Sequence, residues 1–487
     1  MRVLQAEPAL SQKILPARLP AVPFLDALIP TGRNEILLEP SRDWSVGPVT
    51  GHRLRVMTYM ALSVAALYAL QSWLWPHGGK PHGLFEEIWS WTSLIWVGPA
   101  IPALGGLAGL MMFRHPRHLD AARSMETLVS FRIVSRGINA KVLTSTIRRC
   151  QQEMAKTPLF PYVIEVVTDA TRFKLPPPND DIRFITVPRN YKTPNGTLFK
   201  ARALDYASKH SKLSKDAWLV HLDEETQPTA SGIKGICAMI REEEASGTLR
   251  IGQGPILYHR GWKQHPFLTL ADNIRTGYDF AHFHFQHRVG ITIFGLHGSY
   301  IVVRNDVEKA VGFDVGPQGS ITEDAFWALL AMEKGFRCRC VEGYLEEQST
   351  QSIKDFIRQR RRWFQGLVKV SLFAPVGLMW RIPLGYNTLM TALTPFAMLY
   401  TVGHLIYGFT PEPWILLLAN ASFAAYSVVY LTGLTANLDE YGITNPLKRL
   451  AWRIVQIILL PCFSIMEALG VLAAIFRPRP GFYVVKK

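Results

Sequence analysis

The sequence predicts an α/β domain inserted between membrane-spanning helices, a polytopic membrane protein with one large soluble domain. Three observations carry this. Apolar runs long enough to cross a bilayer lie before residue 115 and after residue 381. Between them, short β-rich runs alternate with helical ones, the pattern of a sheet with helices on its faces. The basic residues behind a net charge of +15 crowd the flanks of the apolar runs and form no nucleic-acid fingerprint. At 487 residues there is room for one such domain plus its spans.

Residues 1–50 lack the apolar run of a signal peptide and read as a cytosolic N-terminal segment ahead of an uncleaved anchor. Residues 51–115 hold two spans. The run 56–75 carries no charge, with Arg53 and Arg55 before it; the run 88–113 is broken by Pro99 and Pro102 and followed by Arg114, His115, Arg117 and His118. The loop between them has one Lys against two Glu, so the positive-inside rule makes the pair a hairpin with both outer flanks cytosolic.

Residues 116–350 are then the cytosolic α/β domain. Strands are expected at 129–134, 162–168, 182–187 and 217–222, with helices at 140–154 and 197–209. Open sheets of this kind gather ligands at the carboxyl ends of their strands. There stand Ser135, Arg136 and Gly137 after the first strand, Asp169 after the second, and Asp223, Glu224 and Glu225 after the fourth. Glu323 and Asp324 follow the glycine-rich loop 312–320 and open a helix over 325–334. An acid at a helix start can be a plain first-turn charge favoured by the dipole. Three acidic sites at successive strand ends are harder to explain that way. Asp223 and Glu225, two apart after a buried strand, can share a divalent cation with a diphosphate, and hard oxygen ligands suit Mg²⁺ or Mn²⁺.

Residues 351–380 read as an amphipathic interface helix. Within it, 353–366 reads as a helix about three turns long, since no breaker precedes Gly366, and Gln359, Arg362 and Trp363 share one face at i, i+3 and i+4. A guanidinium fork suits a diphosphate, and an indole plane suits the apolar face of a sugar ring. The plainer reading is a polybasic helix in which Arg358, Arg360 and Arg361 hold anionic lipid. Residues 381–487 add about three apolar runs, 384–407, 414–434 and 454–476, and a basic tail. The link 408–413 has no Lys or Arg and reads as external, whereas Lys448, Arg449 and Arg453 mark 439–453 as cytosolic. A third crossing puts Arg477, Arg479, Lys486 and Lys487 outside, against the rule. Five spans are the expectation, with a re-entrant last run, containing Pro461 and Glu467, as the alternative. Glu467 is expected to meet a polar headgroup or acceptor, or to pair with a neighbouring helix.

Cys150, Cys237, Cys338, Cys340 and Cys462 are an odd, scattered set, which points to a reduced compartment without a disulfide framework or zinc site. The histidines of 281–287, AHFHFQH, alternate with aromatics as on a strand and lack partners at a ligand spacing, so they are not read as a metal site.

Taken in order, Asp169, DEE at 223–225, TED at 322–324 and QRRRW at 359–363 match the D, DxD, TED and QxxRW motifs of family-2 processive-type glycosyltransferases, which the chain resembles. The resemblance implies a GT-A (Rossmann-like) fold and inversion at the anomeric carbon. Glu225 departs from the motif's Asp, which leaves the metal preference open. The run 319–367, with FRIVSRG and HLDEET, is similar to the egghead-type β-1,4-mannosyltransferases, which move mannose from GDP-mannose onto a β-glucosyl lipid. Carried across, Asp169 contacts the nucleoside and Lys200 the nucleotide phosphates; Lys200 otherwise reads as a solvated helix lysine. Asp223 and Glu225 hold metal and diphosphate. Of the catalytic pair Glu323 and Asp324, Asp324 is the base that takes the acceptor hydroxyl's proton. Arg362 neutralises the leaving diphosphate, Gln359 and Trp363 floor the acceptor site, and the loop 297–300, with Ser299, lies on the acceptor side. Implied partners are a nucleotide-sugar donor, a glycolipid or glycan acceptor and the bilayer, with no nucleic acid. The membrane is endoplasmic reticulum or Golgi in a eukaryote and plasma membrane in a bacterium, with the site facing the cytosol. The alternative is a processive polysaccharide synthase that extrudes polymer through its spans. A nucleotide-driven transporter is excluded, because no GxxxxGK[ST] occurs.

Overall fold

The computed structural model describes residues 49–74, 83–113, 123–169, 178–407 and 411–478. The first 48 residues, most of the 76–87 loop, the basic flank from Arg114 to His118 and the tail beyond 478 lie outside the described residues.

The chain begins with helix α1 (Val49–Leu74), then α2 (Leu84–Trp91), a 3₁₀ turn (Thr92–Trp96) and α3 (Ala100–Met112). Pro99 takes the cap position of α3, so the second apolar run is an interrupted helix, as its prolines suggest. The soluble domain follows. Its first four strands are β1 (Val129–Ser135), β2 (Tyr162–Thr168), β3 (Ile182–Thr186) and β4 (Trp218–Asp223), all parallel and close to their expected bounds. Later strands are β5 (Gln227–Pro228), β6 (Ile251–Gln253), β7 (Ile256–Arg260), β8 (Ile301–Arg304), β9 (Cys338–Cys340) and β10 (Leu345–Gln348). The main sheet runs β3-β2-β1-β4-β8-β6-β9, and a small one runs β5-β10-β7.

Strand β8 is antiparallel to both neighbours. That reversal brings its start, and the loop ahead of it, to the same edge as the ends of β1, β2 and β4. Register fixes the edge: Ser135 pairs beside Thr168, Val134 beside Asp223 and His221 beside Ile301. Alternate strand residues feed two cores. Val163 and Leu219 pack with Ala201 and Leu204 of α5 (Phe199–His210) on one face. Ile164, Val166 and Val220 pack on the other face, against Ile147 of α4 (Ala140–Lys156) and Ile236 of α6 (Ala230–Ser246).

Helix α7 (Pro266–Tyr278) continues through a π turn (Asp279–Phe283) into a short helix (His284–Arg288), so AHFHFQH is helical, not a strand. Phe280, His284 and His287 share one buried helical face, at i, i+4 and i+7, and Ala281 and Gln286 are buried as well; the alternation of His and Phe hid that period. Helix α7 docks on a membrane-type helix described below, and α8 (Glu323–Glu333) opens with the two candidate carboxylates.

Helix α9 (Ile353–Phe373) runs past Gly366, where the sequence suggested a stop. A Cβ at Gly366 would stand 2.4 Å from the Thr322 side chain, so this glycine is a contact and not a terminus. Helices α10 (Leu378–Tyr407), α11 (Pro413–Glu440) and α12 (Pro446–Phe476) follow. By length and composition, four segments among the described residues suit a membrane: Gly51–Leu74, Leu84–Met112, Pro413–Glu440 and Pro446–Phe476. Helix α10, expected as a further span, is helical but not among them. Helix α11 meets α7 at very close range: a Cβ at Gly277 would lie 2.2 Å from the Val429 carbonyl, and one at Gly433 2.0 Å from that of Asn273. Helix α12 touches the soluble domain along its length, through Trp452 on Trp262, Gln456 on Asn273, Phe463 on Phe267 and Val471 beside Phe364. Glu467 pairs with Arg360 of α9 at 2.6 Å, the helix partnership that was one of its two expected uses.

Candidate active site

Every candidate residue lines one cavity of about 1730 Å³. Asp169, Asp223 and Glu225 reach it from the ends of β2 and β4, Ser299 from the loop before β8, Glu323 and Asp324 from the start of α8, and Gln359, Arg362 and Trp363 from α9. The same cavity continues between helices α1, α10, α11 and α12, where Leu62, Leu70, Thr394, Phe423 and Ser464 line it.

The acidic cluster is organised around Lys200. Its ammonium lies 2.5 Å from Asp223 Oδ1 and 3.4 Å from Glu323 Oε1, and donates to the Gly298 carbonyl at 2.7 Å. Burial alone would pull this lysine down, but the Asp223 and Glu323 carboxylates outweigh it and hold the ammonium above its usual value. The solvated-lysine reading therefore fails. So does the reading of Glu323 as a plain first-turn acid, since it is buried against a cation. Asp324 is half-buried; burial, reinforced by the Glu323 charge and opposed by Lys200, pushes it up to about 7. A Cβ at Gly298 would stand 2.9 Å from the lysine ammonium and 3.2 Å from Asp324 Oδ2, so only glycine leaves this space open.

The three acids of 223–225 divide in role. Glu224 lines the cavity too, but its carboxylate is engaged: it accepts from Ser135 Oγ at 2.5 Å and Asn139 Nδ2 at 2.8 Å, tying β4 to the end of β1. Asp223 and Glu225 remain toward the cavity, and Ser299 Oγ accepts from the Asp223 backbone N–H at 3.2 Å. Burial lowers Arg362, and the charges of the four acids Glu323, Asp223, Asp324 and Glu225 act against that. Asp169 is already paired, 2.5 Å from Arg202, a residue the sequence did not single out. Gln359 accepts from Arg360 at 3.0 Å, and Arg360 also binds Asp272 at 2.8 Å. Arg360 is thus spent on internal pairs and does not serve as a lipid-facing charge. Two strained residues flank the site, Phe199 at φ 54 before Lys200 and Tyr300 at φ 57 after Ser299; no sequence signal marks a non-glycine residue for that region.

Asp223 and Glu225 fit a divalent cation by chemistry, since both are hard oxygen donors and Asp223 already takes a cation, the ammonium of Lys200. The one described group that brings three ligand atoms within 4.8 Å of one another is elsewhere: His259, Glu346 and Glu440, none of which lines the cavity.

Acids at the ends of parallel strands, a cation-rich helix across from them and membrane-type helices beside both define a membrane-associated glycosyltransferase of the GT-A class. The chain belongs to glycosyl transferase family group 2, whose model matches residues 218–431. It is 31% identical over 403 residues to beta-1,4-mannosyltransferase bre-3 of Caenorhabditis elegans, covering 81% of this chain and 86% of that protein. To beta-1,4-mannosyltransferase egh of Drosophila melanogaster it is 30% identical over 374 residues, 76% and 80% of the two chains. Among solved structures, mannosyltransferase PcManGT from Pyrobaculum calidifontis in complex with GDP-Man and Mn²⁺ aligns distantly, with a TM-score of 0.39 and 12% identity over 86% of this chain and 100% of that one.

Proposed function

We propose that the chain transfers one mannose from GDP-mannose to a β-glucosyl lipid, forming a β-1,4 linkage. The observation that carries the acceptor class is the continuity of the cavity. It joins the acids to a slot between apolar helices, so a sugar at one end can stay attached to a hydrocarbon chain at the other. The donor class is supported by the two curated relatives.

In this reading the nucleoside end of the donor meets Asp169, and its diphosphate lies among Asp223, Glu225, Lys200 and Arg362. A divalent cation held by Asp223 and Glu225 would supply charge neutralisation at the leaving diphosphate. Lys200 and Arg362 add fixed positive charge there. Asp324 accepts the proton of the acceptor hydroxyl as its oxygen attacks the anomeric carbon from the face opposite the diphosphate, which inverts that centre. A carboxyl raised towards neutrality suits this, because a base titrating near the working pH is strong enough to take the proton yet still ionised. Gln359, Trp363 and the Ser299 loop frame the acceptor. The site faces the cytosol, in the endoplasmic reticulum or Golgi of a eukaryote or at the plasma membrane of a bacterium.

The test is to give the purified protein GDP-mannose, UDP-glucose or UDP-N-acetylglucosamine with a β-glucosyl lipid, and to size and linkage-map the product with and without chelator. One added mannose, lost in chelator, is the expected result. A ladder of lengthening products would mean a processive synthase instead, and transfer from a uridine donor alone would overturn the sugar assignment.

A further inference from the structure

Arg275, on α7, lines the cavity and takes part in none of the steps above. Its guanidinium carbon sits 3.5 Å from the centre of the Tyr258 ring and 4.8 Å from that of Trp363. The nearest carboxylate oxygen is Glu347 Oε2, 3.6 Å from Nη2, which is an ion pair but too long for a hydrogen bond. Nη1 is buried without a partner, and the side chain as a whole is 13% exposed. A guanidinium has five N–H donors. Among the described residues none of the five is spent. Buried polar groups are nearly always hydrogen-bonded, so a cation with its donors unused, on the wall of a binding cavity, marks a place that a ligand completes.

The chemistry around it selects the ligand. Glu347, Asp272 and Glu467 are carboxylates whose charge acts on Arg275, against the cation Arg360. A phosphate there would meet those carboxylates, whereas a neutral hydroxyl can accept from Arg275 and donate to Glu347 at once. Glu347 is held for this: its other oxygen accepts from Thr226 Oγ1 at 2.7 Å. Trp363 stands beside the pair, its ring stacked by the guanidiniums of Arg275 and Arg360 at 4.8 and 4.6 Å, which fixes the indole at the edge of this spot. We propose that Arg275 and Glu347 read two hydroxyls of the acceptor's sugar ring, and so decide which glycoside is extended. This rests on the glycoside acceptor proposed above, and it adds two specificity-determining residues outside the sequence motifs.

The experiment compares the wild-type protein with Arg275→Gln, Arg275→Lys and Glu347→Gln, using GDP-mannose, octyl β-glucoside and its monodeoxy analogues. For Arg275→Gln the acceptor KM should rise tenfold or more, with donor KM and slow donor hydrolysis unchanged. Arg275→Lys, which keeps the charge, should recover part of the loss and carries the test if the Gln variant does not fold. One deoxy position that costs the wild type tenfold or more should cost Arg275→Gln almost nothing further. Equal losses for donor and acceptor, or a deoxy penalty that persists in full in the variant, would overturn the assignment and leave Arg275 a packing cation between two rings. If the wild type extends the glucoside and Arg275→Gln does so equally well, only this inference falls; if the wild type extends no glycoside, the acceptor reading falls and takes this with it.

Discussion

Two adjacent carboxylates, Glu323 and Asp324, meet the same lysine and differ in what they can do. Asp324 is the one lifted towards neutrality, so Asp324→Asn should leave donor binding intact while transfer falls by about 10² or more, the usual contribution of a general base. The loss should sit in kcat, with donor KM little changed, because the base acts only in the transition state. The pH profile has a definite sign. The base works when ionised, so kcat/KM should fall as pH drops through about 7. Since the charge of Glu323 is one cause of that raised value, Glu323→Gln should move the acid limb to lower pH, a shift that a purely structural acid would not produce. A limb that stays in place would remove Glu323 from the site's electrostatics. The sequence singled out Asp324 through the TED run, and the structure places it on the cavity wall. Its environment was not legible there: Lys200, Gly298 and Arg362 arrive from three separate stretches, and their meeting depends on the antiparallel turn of β8. Arg275 was invisible for a similar reason, because an arginine on an apolar helix looks like any surface charge until Tyr258 and Glu347 are brought beside it.

Strands were the most readable elements, since β1, β2 and β4 are buried at nearly every position, read as short continuous apolar runs, and end at polar clusters. Helix α9 was read correctly at its start, where Ser352 Oγ accepts from the Asp355 N–H, and wrongly at its end. Propensity gives Gly366 a reason to stop a helix; packing gives it a reason to continue one, by letting α9 lie against Thr322 just ahead of the carboxylate pair. Gly366→Ala puts a methyl into that contact. Overpacking of this kind costs about 1–3 kcal/mol, and here it should also lower kcat by displacing Thr322 and with it the start of α8. Thr322→Ala in the same chain removes the nearest atoms and should recover much of both losses, measured by thermal unfolding and by turnover. Recovery of stability without recovery of turnover would separate the two effects and show that α9 does not position the carboxylates.

At the scale of the whole molecule, the positive-inside rule and the helix packing make different demands on the last apolar run. A fifth crossing leaves Arg477 on the far side from Lys448 and Arg449. In the structure, α12 buries Gln456, Leu460, Phe463, Met466 and Val471 and exposes Ile454, Ile458, Ile465 and Leu469. The buried face meets α7 and α9 from end to end, and both carry the soluble domain; although α12 is long and apolar enough to cross a bilayer, these contacts favour a helix laid along the membrane surface under that domain. The Arg360–Glu467 pair then sits at the interface, where a buried carboxylate costs less than at mid-bilayer. Helix α11 behaves differently. It begins at an exposed Trp414 and ends where the Tyr441 hydroxyl donates to the His259 carbonyl of the domain, which fits one crossing provided that α10, not among the four membrane-suited segments, carries the chain to the Trp414 side. Single cysteines in a Cys462→Ser background test this in sealed vesicles with an impermeant maleimide. Asp180→Cys marks the domain's side and Trp414→Cys the opposite side. Leu447→Cys should label with the first of these. Arg477→Cys should label with it too, which brings the basic tail to the cytosolic face and removes the conflict with the charge rule. Labelling of Arg477→Cys from the Trp414 side would restore the fifth crossing and mean that α12 tilts away from α9 in the bilayer.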